Sequence, residues 1–557
     1  MSVLQAALIA LCYAFARSSF TFGLGEVVFS QPLAAGTIVG FLLGAPLEGA
    51  AIGGAINIAT LGLSQWKVRG GPDVALIGYV GIPILLLNGV PAGDGDGAAL
   101  IAALVGLGIL LNFLRGLFNT VLAHWVDFFA GRGDAAVTAY SGVIPAQLWL
   151  FVTTFLPAFF LVRMAPAPLL TLAQSLPAWV QGALVLAQHL IGLLGIAVSL
   201  LALLKGSSSA YFFLGWLVAS ASVTAVAYPS LLTHSGAPIL VTLIGVSIAV
   251  IHAYVARRSS SANPEMAAEQ AADRAETKSE LSISPLSRTD LGAAFVWWMF
   301  FHNAALNFER SQNMGFGGAM AMLVNRLYAD AEGRAAALRR HLTLFASEPA
   351  FGAFAVGATA ALEERRASGE PIGDAEFVGA KTSAMALLGT LGDAVITGIL
   401  TTFLVAVGAA LARQGNLFGP FLFAAALGAA FVLIAWGLFR AGYAQGRRWT
   451  DWARQNDWLP AALFGALRVG AFVLGALIVS VSRATPLPIT PVVQIDAARI
   501  PLQNLVDGVL PGALPLLITL GMWYLMRYRK TQSMTLLGLC VLAAFIVAAF
   551  MRLVHWI

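Results

Sequence analysis

The densest chemistry in the chain lies between Leu306 and Glu364. Glu309, Arg310, Arg326, Asp330, Glu332, Arg334, Arg339, Arg340, His341, Glu348, Glu363 and Glu364 all fall there. An apolar chain collects ionisable groups where they meet water, a partner or one another. Asn307, Glu309, Arg310 and Gln312 sit within two helical turns. Neighbours in sequence do not face each other on a helix, so Glu309 and Arg310 are expected to pair elsewhere, with Arg340, His341, Glu363 or Glu364. With His341, Glu363 and Glu364 they read as a polar network supporting one face of the protein; substrate passage or partner docking is the second reading.

A second polar set punctuates the first part of the chain. Gln31, Asn57, Gln65 and Asp73 fall where apolar segments break. Amides and carboxylates at interrupted helices can coordinate the hydroxyls of a sugar, and they can equally cap helix ends. Lys67 and Arg69 suit an anionic ligand, or they snorkel to an interface. Lys381 and Asp393 flank a Gly-Thr-Leu-Gly turn at 389–392, whose broken backbone is the second half's candidate for substrate contact. Cys12 and Cys540 lie in apolar runs and neither belongs to a CxxC. No Walker loop, nucleophile elbow or metal-ligand cluster occurs, so no catalytic residue, metal or cofactor is expected.

These residues must be positioned by membrane helices. Of 557 residues 59% are hydrophobic and only 11% charged, far more apolar than a soluble domain. The predicted class is all-α: a polytopic helical membrane protein with two related membrane domains and broken or re-entrant helices. The net charge of +5 reads as positive-inside bias, with no basic aromatic patch for nucleic acid. The N-terminus lacks a basic n-region and a small-residue cleavage site, so it reads as part of the fold. Apolar segments are expected near 33–62, 74–92, 98–120, 144–165, 176–204, 210–228, 236–256, 383–412, 417–440, 458–481, 511–527 and 533–553. Gly36, Gly40 and Gly44 predict a close-packing ridge, and Pro46 with the glycines after it predicts a broken helix.

Residues 258–285 are polar, Ser/Ala-rich and charged, and read as a flexible linker. Arg257 and Arg258 follow an apolar segment directly, which places that linker in the cytoplasm. The domains are then 1–257 and 286–557. The second opens on an amphipathic helix through about 305, capped at Thr289-Asp290, with Trp297 and Trp298 at the membrane interface.

Several motifs in register carry a family resemblance. NFERSQNMGF, RRHLTLF, SEP, ATAALEE and KTSAMALLGTLGD resemble the IID subunit of mannose/fructose/sorbose-type phosphotransferase-system (PTS) permeases. QPLAAGTIVGFLLGAPLEGAAIGGAINIATLG and GGPD resemble, more loosely, the IIC subunit of that family, so the chain resembles a IIC–IID fusion. It departs from the family pattern at Ala45, Asn57, the 65–69 stretch, Leu306 and the proline-free 385–393 run. The resemblance implies hexose-type sugar transport across the bacterial cytoplasmic membrane, coupled to phosphorylation by a separate phospho-IIB protein fed by IIA. It also implies a homotrimer in lipid with elevator-type movement, and it assigns the phosphorylated histidines to IIA and IIB, leaving His341 as a pairing or docking residue. The alternative is a permease uncoupled from phosphorylation, a facilitator or surface receptor.

Overall fold

The computed structural model describes residues 1–60, 71–90, 95–164, 171, 175–204, 208–224, 286–446, 458–484, 492–495, 498–501 and 510–553. Gln65, Lys67, Arg69, the linker 258–285 and the expected segment 236–256 lie outside them.

Eight helices are described in the first half. They are α1 (Val3–Arg17), α2 (Pro32–Leu43), α3 (Pro46–Ala59), α4 (Val74–Asn88), α5 (Gly95–Ala130), α6 (Ala135–Met164), α7 (Ala178–Leu203) and α8 (Ser208–Thr224). The second half continues with α9 (Arg288–Phe301), α10 (Asn313–Leu327), α11 (Ala331–His341), α12 (Pro349–Ala367), α13 (Asp374–Ala384) and α14 (Thr390–Arg413). α15 (Phe418–Gln445), α16 (Trp458–Ala484), α17 (Ala513–Tyr528) and α18 (Ser533–Leu553) complete it. A small antiparallel hairpin of β1 (Val492–Ile495) and β2 (Ala498–Pro501) pairs Val492 with Pro501 and Ile495 with Ala498. It is the one departure from an all-helical fold among the described residues.

Six described helices are long and apolar enough to cross a membrane: Ala99–Ala130, Ala135–Arg163, Ala178–Leu201, Thr390–Arg413, Phe418–Gln445 and Thr535–Leu553. The 33–62 segment is broken, as its glycines and proline predict. α2 and α3 have 12 and 14 residues, or about 18 and 21 Å, too short for a hydrocarbon core of about 30 Å. Between them Gly44 takes φ +82°, Ala45 leaves the helical region at φ −129° and ψ 61°, and Pro46 starts the second arm. The arms pack backbone to backbone. A Cβ on Gly36 would fall 2.3 Å from the Gly49 carbonyl oxygen, and one on Gly49 would fall 2.4 Å from that of Gly36. Gly44 is not part of this ridge; it forms the turn, with open space where its side chain would be.

The same backbone contact joins the halves. A Cβ on Gly215 of α8 would fall 2.0 Å from the Phe472 carbonyl oxygen, and one on Gly475 of α16 would fall 2.0 Å from that of Phe212. α12 and α15 are joined likewise through Gly357 and Gly442, where an added Cβ would fall 2.2 and 2.1 Å from the Phe439 and Phe354 carbonyl oxygens. One apolar core runs from Leu122, Val126 and Val143 of the first half into Trp298, Phe316, Phe354 and Phe439 of the second. The two halves therefore interdigitate.

Two expectations for the second half change. α9 is capped by Ser287, whose hydroxyl accepts from Asp290 N–H while the Asp290 carboxylate accepts from Ser287 N–H. Trp297 and Trp298 are buried in the core and not at an interface. Gly318 of α10 has no side chain to keep Trp297 out, and Trp298 Nε1 donates to the Pro349 carbonyl at 2.9 Å. α12 is buried all the way from Pro349 to Glu364.

Candidate functional site

The Leu306 region is a tight turn docked onto α5. Asn307 organises it: its Oδ1 accepts from the Glu309 and Arg310 N–H groups, and its Nδ2 donates to Asn313 Oδ1 at 2.7 Å. Ser311, at φ +59°, closes the turn. Glu309 and Arg310 do not pair with Arg340, His341, Glu363 or Glu364. Their partners lie on α5 of the first half. Arg310 grips Asp127 with both Nη atoms, at 2.8 and 2.5 Å, and Glu309 lies 3.2 Å from His124 Nε2. Alongside, Asn119 Nδ2 donates to the Leu306 carbonyl, Phe308 N–H donates to Thr120 Oγ1, and the Phe308 ring fills the notch left by Gly116. Gln312 reaches the other way. Its Nε2 donates to Asn303 Oδ1 and the Ser347 carbonyl, and its Oε1 accepts from Ser347 N–H.

These contacts frame a cavity of about 760 Å³ between the halves. Its first-half wall comprises Arg17, Glu26, Gln31, Asn112, Arg115, Asn119 and Trp149. Its second-half wall comprises Asn303, Asn307, Gln312, Ser347, Glu348, Met385, Gly389, Thr390 and Asp393. Among the described residues, three buried polar atoms on this lining have neither a hydrogen-bond nor an ion-pair partner: Asn119 Oδ1, Trp149 Nε1 and Ser347 Oγ. One is an acceptor, one a donor and one both. Buried polar atoms are rarely left unpaired by the protein, which marks these three as candidates for contact with a ligand.

Of the first half's sequence-predicted residues that are described, Gln31 lines the cavity and Asn57 and Asp73 do not. Asn57 is fully buried behind it. Its Oδ1 accepts from Leu33 N–H, capping α2, and its Nδ2 donates to Gln31 Oε1 at 3.1 Å. Asp73, also buried, accepts from Tyr13 Oη at 2.7 Å and Arg115 Nη1 at 2.9 Å, and it caps Leu76 N–H. Arg115 in turn donates to Thr153 Oγ1 and the Thr153 carbonyl. Asn57 thus orients Gln31, and Asp73 orients Arg115 and Arg17 towards the cavity.

In the second half Asp393 lines the cavity, while Lys381 lies behind the wall. Lys381 Nζ donates to Thr343 Oγ1 at 2.8 Å and to the His341 carbonyl at 3.2 Å, and it sits 4.7 Å from the Phe316 ring centroid. Burial depresses its ammonium to a pKa of about 7. His341 is buried against Glu363, with Nε2–H donating to Oε1 at 2.6 Å. The same carboxylate accepts from Arg340 Nε at 2.7 Å and from Tyr328 Oη. Burial alone would raise Glu363; the hydrogen bond and charge of His341, then Arg340 and Tyr328, outweigh it and hold the carboxyl at about 2. Burial lowers the His341 pKa. Glu364 stands apart, accepting from Tyr443 Oη and from the Leu286 N–H. The predicted network therefore divides: Asn307, Glu309, Arg310 and Gln312 frame the cavity, while His341 and Glu363 form a buried knot and Glu364 ties α12 to α15.

Sequence reasoning missed Asn119, Trp149, Arg115, Asp127 and Ser347. Arg115 and Asp127 were findable: each is an ionisable residue inside an apolar helix, where a charge signals a partner. Trp149 and Asn119 carry no such signal.

Fold and cavity define a multi-pass helical membrane protein with a cavity, lined by polar groups of both walls, between two interlocked halves. Residues 285–553 match the family described as the PTS system mannose/fructose/sorbose family IID component, and residues 3–255 match the PTS system sorbose-specific IIC component. The sorbose-specific EIID component of Lacticaseibacillus casei is 33% identical over 256 residues, 46% of this chain and 90% of that protein. The mannose-specific EIID component of Escherichia coli K12 is 30% identical over 263 residues, 46% and 92%. The mannose-specific EIIC component of that strain is 27% identical over 199 residues, 35% and 73%. The chain belongs to the mannose/fructose/sorbose family of phosphotransferase-system permease components, with IIC-like and IID-like parts in one polypeptide. It is an integral protein of the bacterial inner membrane.

Proposed function

We propose that the cavity is the sugar site of a permease whose cargo is phosphorylated on the cytoplasmic side by a separate IIB protein charged through IIA. The observation that carries this reading is the trio of unpaired atoms on its lining: Asn119 Oδ1, Trp149 Nε1 and Ser347 Oγ. A hexose presents hydroxyls that both donate and accept, and an apolar ring face suited to an indole. The volume lies within the range of small-molecule sites. Gln31, Asn303, Gln312 and Asp393 supply further polar groups on both walls, with Asn57 and Asp73 acting one step behind. An elevator-type movement of the hairpin α2–α3 with its neighbour α14, in a trimer embedded in lipid, would alternate access; Gly54 packing on Ala409 makes hairpin and helix one unit.

The test is uptake and phosphorylation of labelled mannose, fructose and sorbose in vesicles, with and without cognate phospho-IIB. Sugar phosphate should accumulate only with phospho-IIB, and Ser347→Ala with Trp149→Phe should raise KM. Accumulation of free sugar without IIB would instead favour a facilitator.

A further inference from the structure

Lys381 is a buried cation with no carboxylate ion pair among the described residues. Its nitrogen is held instead by a carbonyl in the last turn of α11, by one hydroxyl and by an aromatic face. A helix C-terminus and a ring face both favour the charged form.

What Lys381 joins matters more than what it touches. On one side, His341 and Thr343 open the loop that runs to Ala346, Ser347 and Glu348 on the cavity wall. On the other, α13 passes one turn later into the π-helical turn Met385–Gly389, whose Met385 and Gly389 line the same cavity. The two walls touch again where Ala346 N–H donates to Met385 Sδ at 3.1 Å. The ring beneath the ammonium, Phe316, packs at a tilt against Phe345 of that loop, 4.5 Å between centroids. The loop backbone is tied into the Asn307 turn, since Phe345 N–H donates to the Arg310 carbonyl and Gln312 N–H to that of Phe345.

We propose that Lys381 is a positioning residue for the cavity: its ammonium clamps the 342–348 loop to α13 and so holds Ser347 in place for substrate. This rests on the cavity being the sugar site. The helices packed against α13 carry Glu332, Arg334, Arg339, Arg340 and His341 on α11 and Glu363, Glu364, Arg365 and Arg366 on α12; α13 itself carries Asp374 and Glu376. Glu363 is held at about 2 and so stays ionised near neutrality, and burial lowers His341. Lys381 is then the group that titrates, because burial brings it to about 7. Above that value the amine keeps N–H donors but loses the charge that holds it at the ring and the helix end.

Equilibrium binding of labelled mannose, fructose or sorbose to the purified full chain, between about pH 6 and pH 8.5, tests this. Wild-type affinity should fall by roughly three- to tenfold as pH rises through about 7. Lys381→Met should bind weakly at both ends with a flat profile. Lys381→Arg, whose charge persists, should restore affinity and stay flat. Thr343→Val should weaken binding at the acid end only. Amide exchange of residues 342–348 gives a readout that needs no sugar: it should quicken in Lys381→Met and not in Lys381→Arg. A Lys381→Met protein with wild-type affinity, pH profile and exchange overturns the proposal, as does an arginine variant that still loses affinity through pH 7. Unaltered 342–348 exchange in Thr343→Val alongside unaltered affinity overturns it even if Lys381→Met does not fold. Absence of sugar binding in the wild type, with the exchange pattern as expected, strikes only the cavity reading.

Discussion

Arg310 and Asp127 face each other across the two halves of the chain, Nη1 at 2.8 Å from Oδ1 and Nη2 at 2.5 Å from Oδ2. The planar guanidinium meets the carboxylate edge to edge, a match that a lysine cannot reproduce. The pair fixes the Asn307 turn on α5, and that turn carries the Asn307 and Gln312 side chains of the cavity. Both side chains are partly solvent-exposed, so the pair itself contributes modestly, about 1 kcal/mol. Arg310→Lys and Asp127→Asn should each lower the melting temperature slightly and weaken sugar binding more than stability. The double variant should be no worse than the poorer single one, which a double-mutant cycle on binding would read. Strict additivity would show the two residues to be uncoupled.

The glycine pairs between helices predict a sharper loss. Gly357 and Gly442 stand where a methyl group would collide with backbone at 2.2 and 2.1 Å. Backbone has no rotamer to move away, so α12 and α15 must separate. Gly357→Ala or Gly442→Ala should destabilise by about 3 kcal/mol or more. Gly437 of α15, with open space around it, should accept alanine and gain slightly. Thermal unfolding in detergent compares the three; equal melting temperatures would remove the close-contact explanation.

Glu363 gives a pH prediction. Its folded pKa of about 2 lies below the ordinary 4.5, so its contribution to stability is present above about pH 4.5 and fades as pH falls through about 2. Glu363→Gln should flatten that acid limb and destabilise the protein at neutral pH by about 3–5 kcal/mol, since Arg340 and His341 lose a buried carboxylate. Melting curves between about pH 2 and pH 7 for both proteins decide it; parallel curves would mean that Glu363 is not the group responsible.

The parts of this fold that were legible in the sequence are those set by local covalent constraint. Gly44, Pro46 and the spaced glycines announce the α2–α3 break, because backbone freedom and a missing N–H act within a few residues. Apolar runs likewise mark the spans. The partners of Glu309 and Arg310 were not legible, since the Arg310–Asp127 pair joins residues 183 apart and leaves no periodic mark. Trp297 and Trp298 misled for a related reason: an indole suits an interface and a core equally, and Gly318, twenty residues on, decides between them. The site followed suit. Gln31 and Asp393 line the cavity, but Asn57, Asp73 and Lys381 stand behind it, where a polar residue at a helix break serves the neighbour that reaches the ligand.

Trp149 and Ser347 supply the last prediction. Trp149 Nε1 is buried and unpaired on one wall, and Ser347 Oγ on the other. Trp149→Phe removes the donor and keeps an aromatic face; Ser347→Ala removes one hydroxyl and little volume. Neither change breaks a side-chain hydrogen bond within the described protein, so melting temperatures should hold. Each hydrogen bond to a sugar hydroxyl is worth about 1 kcal/mol, so each variant should raise the dissociation constant by roughly fivefold. Trp149→Ala, which also removes the platform on which a sugar ring packs, should cost more. Binding isotherms for the three variants, read beside their melting temperatures, separate a contact with ligand from a packing role: unchanged affinity in Trp149→Phe and Ser347→Ala would remove these residues from the site, and loss of stability in step with affinity would assign them to the fold.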